Sequence, residues 1–112
     1  GRTAGMVESP FDVTLRVAEI TDAEEFPEAE KPRLLKLRLD LGDETRQSAA
    51  QLGYHHAPEE LPGMQVLCAT DLGSVRIAGY RSEVLTVGVP GDDGRPVLVT
   101  PEKEVPVGGA LY

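Results

Sequence analysis

Alternation of apolar and polar residues is clearest between residues 35 and 41. Leu35, Leu37, Leu39 and Leu41 fall on one side of an extended chain, and Lys36, Arg38 and Asp40 on the other. Leucine favours helices, but a sustained period of two outweighs that preference and predicts a half-buried strand. Phe11 to Ile20 alternates as well. Val13, Leu15 and Val17 are set against Thr14, Arg16 and Ala18, which predicts a strand with Arg16 pointing away from the core. Gly42-Asp43 carries turn chemistry, and Glu44 to Ser48 should return as a short strand. Met64 to Thr70 is apolar on both faces, as a central strand would be. Asp71 to Gly88 then holds two strand-like segments around a glycine-bearing bend, and Val97 to Thr100 reads as a further strand.

Between these segments lie turns. TDAEEFPEAEKP, residues 21–32, is acidic and holds two prolines, so it reads as a long loop with Phe26 anchored against the sheet. Ala49 to Leu52 reads as a brief helical turn. Pro58-Glu59-Glu60 resembles a helix start, stopped by Pro62-Gly63. The apolar tail, Val105 to Tyr112, is suited to cover a sheet edge or to pair with a second chain. Many short strands with few helical residues predict an all-β fold. A five-stranded oligonucleotide/oligosaccharide-binding (OB) barrel with short helical turns and a C-terminal extension fits the count, with a β-sandwich as the rival. Residues 11–112 are expected to form this domain. Residues 1–10 are expected to be a flexible leader or an expression remnant, with a natural start at Met6.

Charge complicates the search for a partner. Nineteen acids against 11 Lys and Arg give a net charge of −8, whereas a generic nucleic-acid binder is basic. Placement matters more than the sum. Glu19, Asp22, Glu24, Glu25, Glu28 and Glu30 crowd one segment that reads largely as loop. Arg16, Arg33, Lys36, Arg38, Arg46, Arg76 and Arg81 fall mostly on predicted strands. Cys68 is the one cysteine, so no internal disulfide is available and a reducing compartment, the cytoplasm, is expected. No apolar run approaches the ~20 residues of a membrane span.

Reaction chemistry is not evident. His55-His56 lacks further ligands for a metal, and Cys68 reads as a buried small hydrophobe. Ser82 sits outside any G-x-S-x-G elbow, and Gly91 to Gly94 lacks the Lys-Ser/Thr of a phosphate loop. No cofactor and no enzyme activity are expected.

Three blocks carry a family likeness: AEEFPEA at 23–29, RQSAAQ at 46–51 and RIAGYRSEVLTVG at 76–88. In this order they resemble the CsaA-type tRNA-binding proteins, whose domain is also appended to methionyl-tRNA synthetase and to the phenylalanyl-tRNA synthetase β chain. The resemblance runs from about Phe11 to the end. It implies an OB-fold, a homodimer, no catalysis and tRNA as partner, with an export-related chaperone role for unfolded preproteins as the alternative. This chain departs from the family pattern at Thr14 (usually Asp), Asp71 (usually Asn) and Ser74 (usually Pro).

Two candidate sites follow. For RNA, Arg16, Lys36, Arg38, Arg46 and Arg76 would form a cationic stripe, with Gln47, Ser48 and Ser82 bonding unpaired nucleotides. Tyr54 and Tyr80 are the candidate stacking platforms. For peptides, Phe26, Leu72, Ile77, Tyr80 and Leu111 would line an apolar groove.

Overall fold

In the computed structural model, which describes Thr3, Ala4 and residues 7–112, the alternating segments build a five-stranded antiparallel sheet that curls into a nearly closed barrel. The expected start at Met6 lies outside the described residues, as does most of the expected remnant ahead of it. Two short strands, β1 (Thr3–Ala4) and β2 (Val7–Glu8), pair with each other. Four barrel strands follow: β3 (Leu15–Glu25), β4 (Leu35–Asp40), β5 (Thr45–Ala50) and β6 (Gln65–Ala69). β7 (Val75–Ile77) and β8 (Tyr80–Ser82) form a hairpin, and β9 (Leu85–Thr86) completes the sheet in the order β5-β4-β3-β6-β9. β10 (Gly88–Pro90) pairs with β11 (Pro96–Leu98) outside the barrel. Pro58–Glu60 is a single 3-10 turn, so the helix start read there stays short.

The leucine alternation is the core. Leu37, Leu39 and Leu41 are fully buried with Ile20, Leu61, Val66 and Cys68. Each such apolar side chain contributes about 1.5–3 kcal/mol through burial.

Three local expectations are corrected. The acidic segment does not begin as a loop, because β3 continues to Glu25 after a register shift between Ile20 and Asp22. Asp22 then stands across from Arg38, and Glu24 across from Lys36. Opposite charges facing each other favour strand pairing, so acidity here supports the sheet. The helical turn read at Ala49 is absent. Ala49 and Ala50 remain in β5, opposite Lys36 and Leu35. Finally, Arg16 does not point outward. It shares its face of β3 with Ala18 and Ile20, and stands opposite Cys68 on β6.

β3 is longer than any one neighbour. β4 covers it from Glu19 to Glu25, while β6 covers the other edge from Leu15 to Glu19. The tail occupies the remaining edge, as one of its two expected roles required. Gly108 N–H donates to Val17 O at 2.7 Å, Val17 N–H to Gly109 O at 2.9 Å, and Leu111 N–H to Leu15 O at 2.8 Å. Gly108 has φ of 91° and lies where an added Cβ would strike the Leu41 carbonyl.

That contact gives a direct test. Gly94 is also left-handed, with φ of 78°, but has open space around it. Gly94→Ala should cost only backbone strain, on the order of 1–3 kcal/mol. Gly108→Ala should cost more, because the tail must leave β3. Thermal unfolding of both variants checks this, and equal losses would show that the tail yields freely.

Candidate nucleic-acid interface

The sequence groups five cations into one stripe; the fold divides them into three groups. Arg16 and Arg46 sit at one end of the barrel. Arg16 Nη2 lies 2.9 Å from Asp43 Oδ1 and Nη1 lies 3.1 Å from Glu44 Oε2, while Nε donates to Gly108 O at 3.0 Å. Arg46 Nε lies 2.6 Å from the other Glu44 oxygen. Both guanidiniums are therefore tied into a local network that joins β3, the β4–β5 turn and the tail. Burial beside them pushes the Cys68 thiol up to about 11, which fits an unreactive core thiol.

Lys36 forms the second group, on the outer face of β4. Its ammonium lies 3.9 Å from Glu24, 4.7 Å from the centroid of Phe26 and 5.2 Å from that of Tyr80. The two rings meet edge to face at 5.5 Å. Tyr80 OH donates toward Leu37 O and Ser48 O. This corner fastens the β7–β8 hairpin over β4 and β5.

The polar trio forms a seam. Ser48 is fully buried and accepts a hydrogen bond from Thr86 Oγ1 at 2.9 Å. Ser82 is buried too, and its Oγ accepts from Ala49 N–H at 3.0 Å. Gln47 N–H donates to Glu83 Oε1, Glu83 N–H returns to Gln47 O, and Gln47 Nε2 donates to Arg81 O at 2.7 Å. These groups satisfy the free edge of β5 against β8 and β9. Their hydrogen bonds are spent within the fold rather than presented to a ligand.

Arg38 lies on the same outer face of β4 as Lys36, across from Asp22; Arg76 forms the third group on the hairpin, and the sequence reading left its neighbour Arg81 out of the site. Ile77 and Tyr80 flank a two-residue turn, Ala78-Gly79, with φ of 47° and 83°. Paired positive φ values match the twist of a tight hairpin. That turn sets Arg76 directly across from Arg81, both exposed. Arg81 Nε donates to Ser74 Oγ, and Arg76 reaches only Gly79 O at 3.5 Å. Gln47 links the hairpin to Arg38, its cross-strand neighbour on β4. Among the described residues, Arg38, Arg76 and Arg81 make no ion pair. Arg81 became visible only when the register placed it opposite Arg76.

The peptide candidates are only partly brought together: Phe26 meets Tyr80, and Ile77 stands across from Tyr80, but Leu72 and Leu111 lie elsewhere. Ile77 lines an open groove of about 930 Å³ with Leu85 and Val89. Phe26 is buried and borders a different cleft. Leu72 is exposed on a loop, and Leu111 belongs to the tail strand. Tyr54 sits against Arg95 and Arg33 rather than standing as an open platform. His55 faces Asp93 and His56 faces Glu60, each at 3.4 Å.

Residues 15–110 match the family described as "Putative tRNA binding domain". This chain belongs to that family. The methionine–tRNA ligase of Methanococcus aeolicus is 40% identical over 101 residues, which is 88% of this chain and 14% of that protein. The Bacillus subtilis methionine–tRNA ligase is 47% identical over 73 residues, 65% of this chain and 11% of that protein. The chain thus spans a small part of these relatives. The chaperone CsaA structure from Bacillus anthracis str. Ames superposes with a TM-score of 0.83 at 34% identity, covering 89% of this chain and 91% of that one. The CsaA chaperone protein from Picrophilus torridus gives 0.81 at 30% identity, covering 90% and 92%. The three sequence blocks and the barrel therefore agree on a tRNA-binding domain of CsaA type.

Asp71 receives the Thr14 N–H on both carboxylate oxygens at 3.0 Å. That backbone bond holds its carboxyl below the ordinary range. A hydrogen bond from Arg16 does the same for Asp43, and the Arg95 amide does so for Asp93. A group with a lowered folded pKa stabilises the fold above its unfolded value and loses that contribution as acid protonates it. Urea midpoints should therefore fall between about pH 5 and about pH 3. Asp71→Asn should flatten the dependence. An unchanged slope would mean the Thr14 bond survives protonation.

Proposed function

We propose that this chain binds tRNA without performing chemistry on it, through the hairpin face carrying Arg76 and Arg81. One observation carries the reading: two arginines held directly opposite on a tight hairpin, with no acid paired to either among the described residues. Like charges across a ladder are destabilising on their own, and a polyanion removes the cost. Arginine is suited to the task because its planar fork matches phosphate oxygens. Lys36 and Arg38 lie on the outer face of β4, while Arg16 and Arg46 support the barrel end beneath the tail. Family membership and the CsaA neighbours favour the same reading. The net charge of −8 then makes binding a local property of one surface.

A homodimer fits the exposed apolar residues. Val89 and Val97 pair across β10 and β11 at 50% and 41% exposure, and Leu85 at 54% shares the groove with Val89. The same groove is where a preprotein segment would lie in the chaperone alternative, so the two roles compete for one surface. No helix among the described residues is long and apolar enough to cross a membrane, and a cytoplasmic site of action is part of this proposal.

Arg76→Ala combined with Arg81→Ala should weaken tRNA binding and reduce the slope of log affinity against log salt by about 1–2. Arg16→Ala should mainly lower the melting temperature. Filter-binding titrations at several salt concentrations decide between these assignments. Wild-type affinity in the Arg76/Arg81 variant would discard the proposed face. Sedimentation equilibrium tests the dimer: Val89→Asp should give a monomer from a wild type of twice the chain mass, and a monomeric wild type would remove that part of the proposal.

A further inference from the structure

The RNA face leaves unexplained a second group of cations, built around Tyr54. The Arg95 guanidinium lies 3.9 Å from the centre of the Tyr54 ring, and that of Arg33 lies 5.9 Å from it. Neither side chain makes an ion pair or hydrogen bond among the described residues, so each guanidinium keeps its full set of donors. The acid beside them, Asp93, feels the Arg95 charge but is shared with other groups. Asp93 Oδ1 accepts the Arg95 backbone amide at 2.9 Å, and Asp93 Oδ2 lies 3.4 Å from His55 Nε2.

Fastening the β10–β11 loop to the turn at Tyr54 requires one stacked arginine, and Arg95 provides it. Arg33 adds a second positive charge at the same ring, where the two repel. Its placement also carries backbone strain. Arg33 has φ of 62°, a left-handed conformation unusual for a bulky residue. The position is enforced from behind: Gly53 N–H donates to Arg33 O at 2.9 Å, and a Cβ on Gly53 would lie 2.8 Å from that oxygen. Strain that the surroundings hold in place is common where a side chain is being aimed at a ligand.

Beside Arg33 and Tyr54 opens a cleft of about 780 Å³, also lined by Phe26 and His56 and by two carboxylates, Glu25 and Glu59. The size suits a nucleotide. Two close guanidiniums suit successive phosphates of one strand. The two carboxylates repel phosphate but accept from an exocyclic amino group, so a base rather than a phosphate suits the cleft while phosphates stay at the arginines.

We propose that Arg33 and Arg95, oriented by Tyr54, form a second RNA contact that grips the backbone of an unpaired strand and admits its base to the adjoining cleft. This rests on the tRNA reading above but uses different residues, so the two fail separately. The test compares the full chain with an Arg33→Asn/Arg95→Gln variant in filter-binding titrations with total tRNA across a salt series. Asparagine tolerates positive φ, so the loop keeps its path. The double variant should lose roughly tenfold in affinity at moderate salt and show a slope shallower by about 1.4, from two single-strand phosphates at about 0.7 each. The loss should add to that of the Arg76/Arg81 variant. Single Arg33→Asn leaves Arg95 seated on Tyr54 and should flatten the slope by about 0.7. Unchanged affinity and slope in both variants, beside a weakened Arg76/Arg81 variant, would overturn the second contact and leave the hairpin face standing. Weakening in the Arg33/Arg95 variant with an unaffected Arg76/Arg81 variant would support the second contact and overturn the hairpin face.

Discussion

The hydrogen-bonded seam between β5 and the β8–β9 segment is what the remaining structure depends on. A short sheet that curls on itself must satisfy the polar groups along its two free edges. Here one edge is closed largely by side chains. Ser82 takes the Ala49 amide, Glu83 exchanges bonds with Gln47, and Thr86 meets Ser48. Side-chain closure allows a barrel with few residues in its last strand, since β9 is only Leu85–Thr86. It also fixes where the β7–β8 hairpin stands. The residues between β8 and β9 belong to the seam, so the hairpin is carried next to β5, with Tyr80 and Ser82 toward the barrel and Arg76 and Arg81 on its other face.

Charge is sorted by this geometry rather than by composition. β3 carries acids on both sides of its bulge; beyond it Asp22 and Glu24 stand across from Arg38 and Lys36, while Glu19 before it stands across from Asp40. At the barrel end, Asp43 and Glu44 absorb Arg16 and Arg46. Partly buried charges of this kind must be paired, because desolvation is costly. Exposed charges on the hairpin face have no such requirement. The cations closest to the core therefore answer to the fold, and those furthest from it remain open to a polyanion.

Much of this was legible beforehand, for identifiable reasons. The leucine alternation at 35–41 has a strong period, and it became β4 with the expected face inward. The family blocks pointed to the barrel. Arg16 misled because β3 is buried on both faces: Leu15 and Val17 suggest one inner side, while Ala18 and Ile20 occupy the other. Parity alone could not choose between them. Residues 21–25 misled because acids and a nearby proline imitate a loop, and the cations that make them a strand lie on β4. Ser48 and Ser82 misled in a different way. A polar residue that closes a buried seam and one that binds a base have the same chemistry, and burial alone separates them. Arg33, Tyr54 and Arg95 are far apart in sequence and meet only because the β10–β11 loop folds back.

The acidic total and an anionic partner are compatible for a physical reason. Coulomb interactions between exposed groups fade beyond about 8–10 Å at moderate salt. A phosphate over Arg76 and Arg81 therefore responds to the nearest few side chains and is largely screened from acids on the far side of the barrel. Net charge then governs how often an encounter goes wrong more than how tightly a correct one holds. Acids around a small cationic face discourage nonspecific contact with nucleic acid, since a strand laid over most of the remaining surface meets carboxylates. A shape that places its phosphates at the hairpin arginines avoids that repulsion. On the proposed reading, selectivity for a folded RNA over generic polyanions would draw on this surplus of acid.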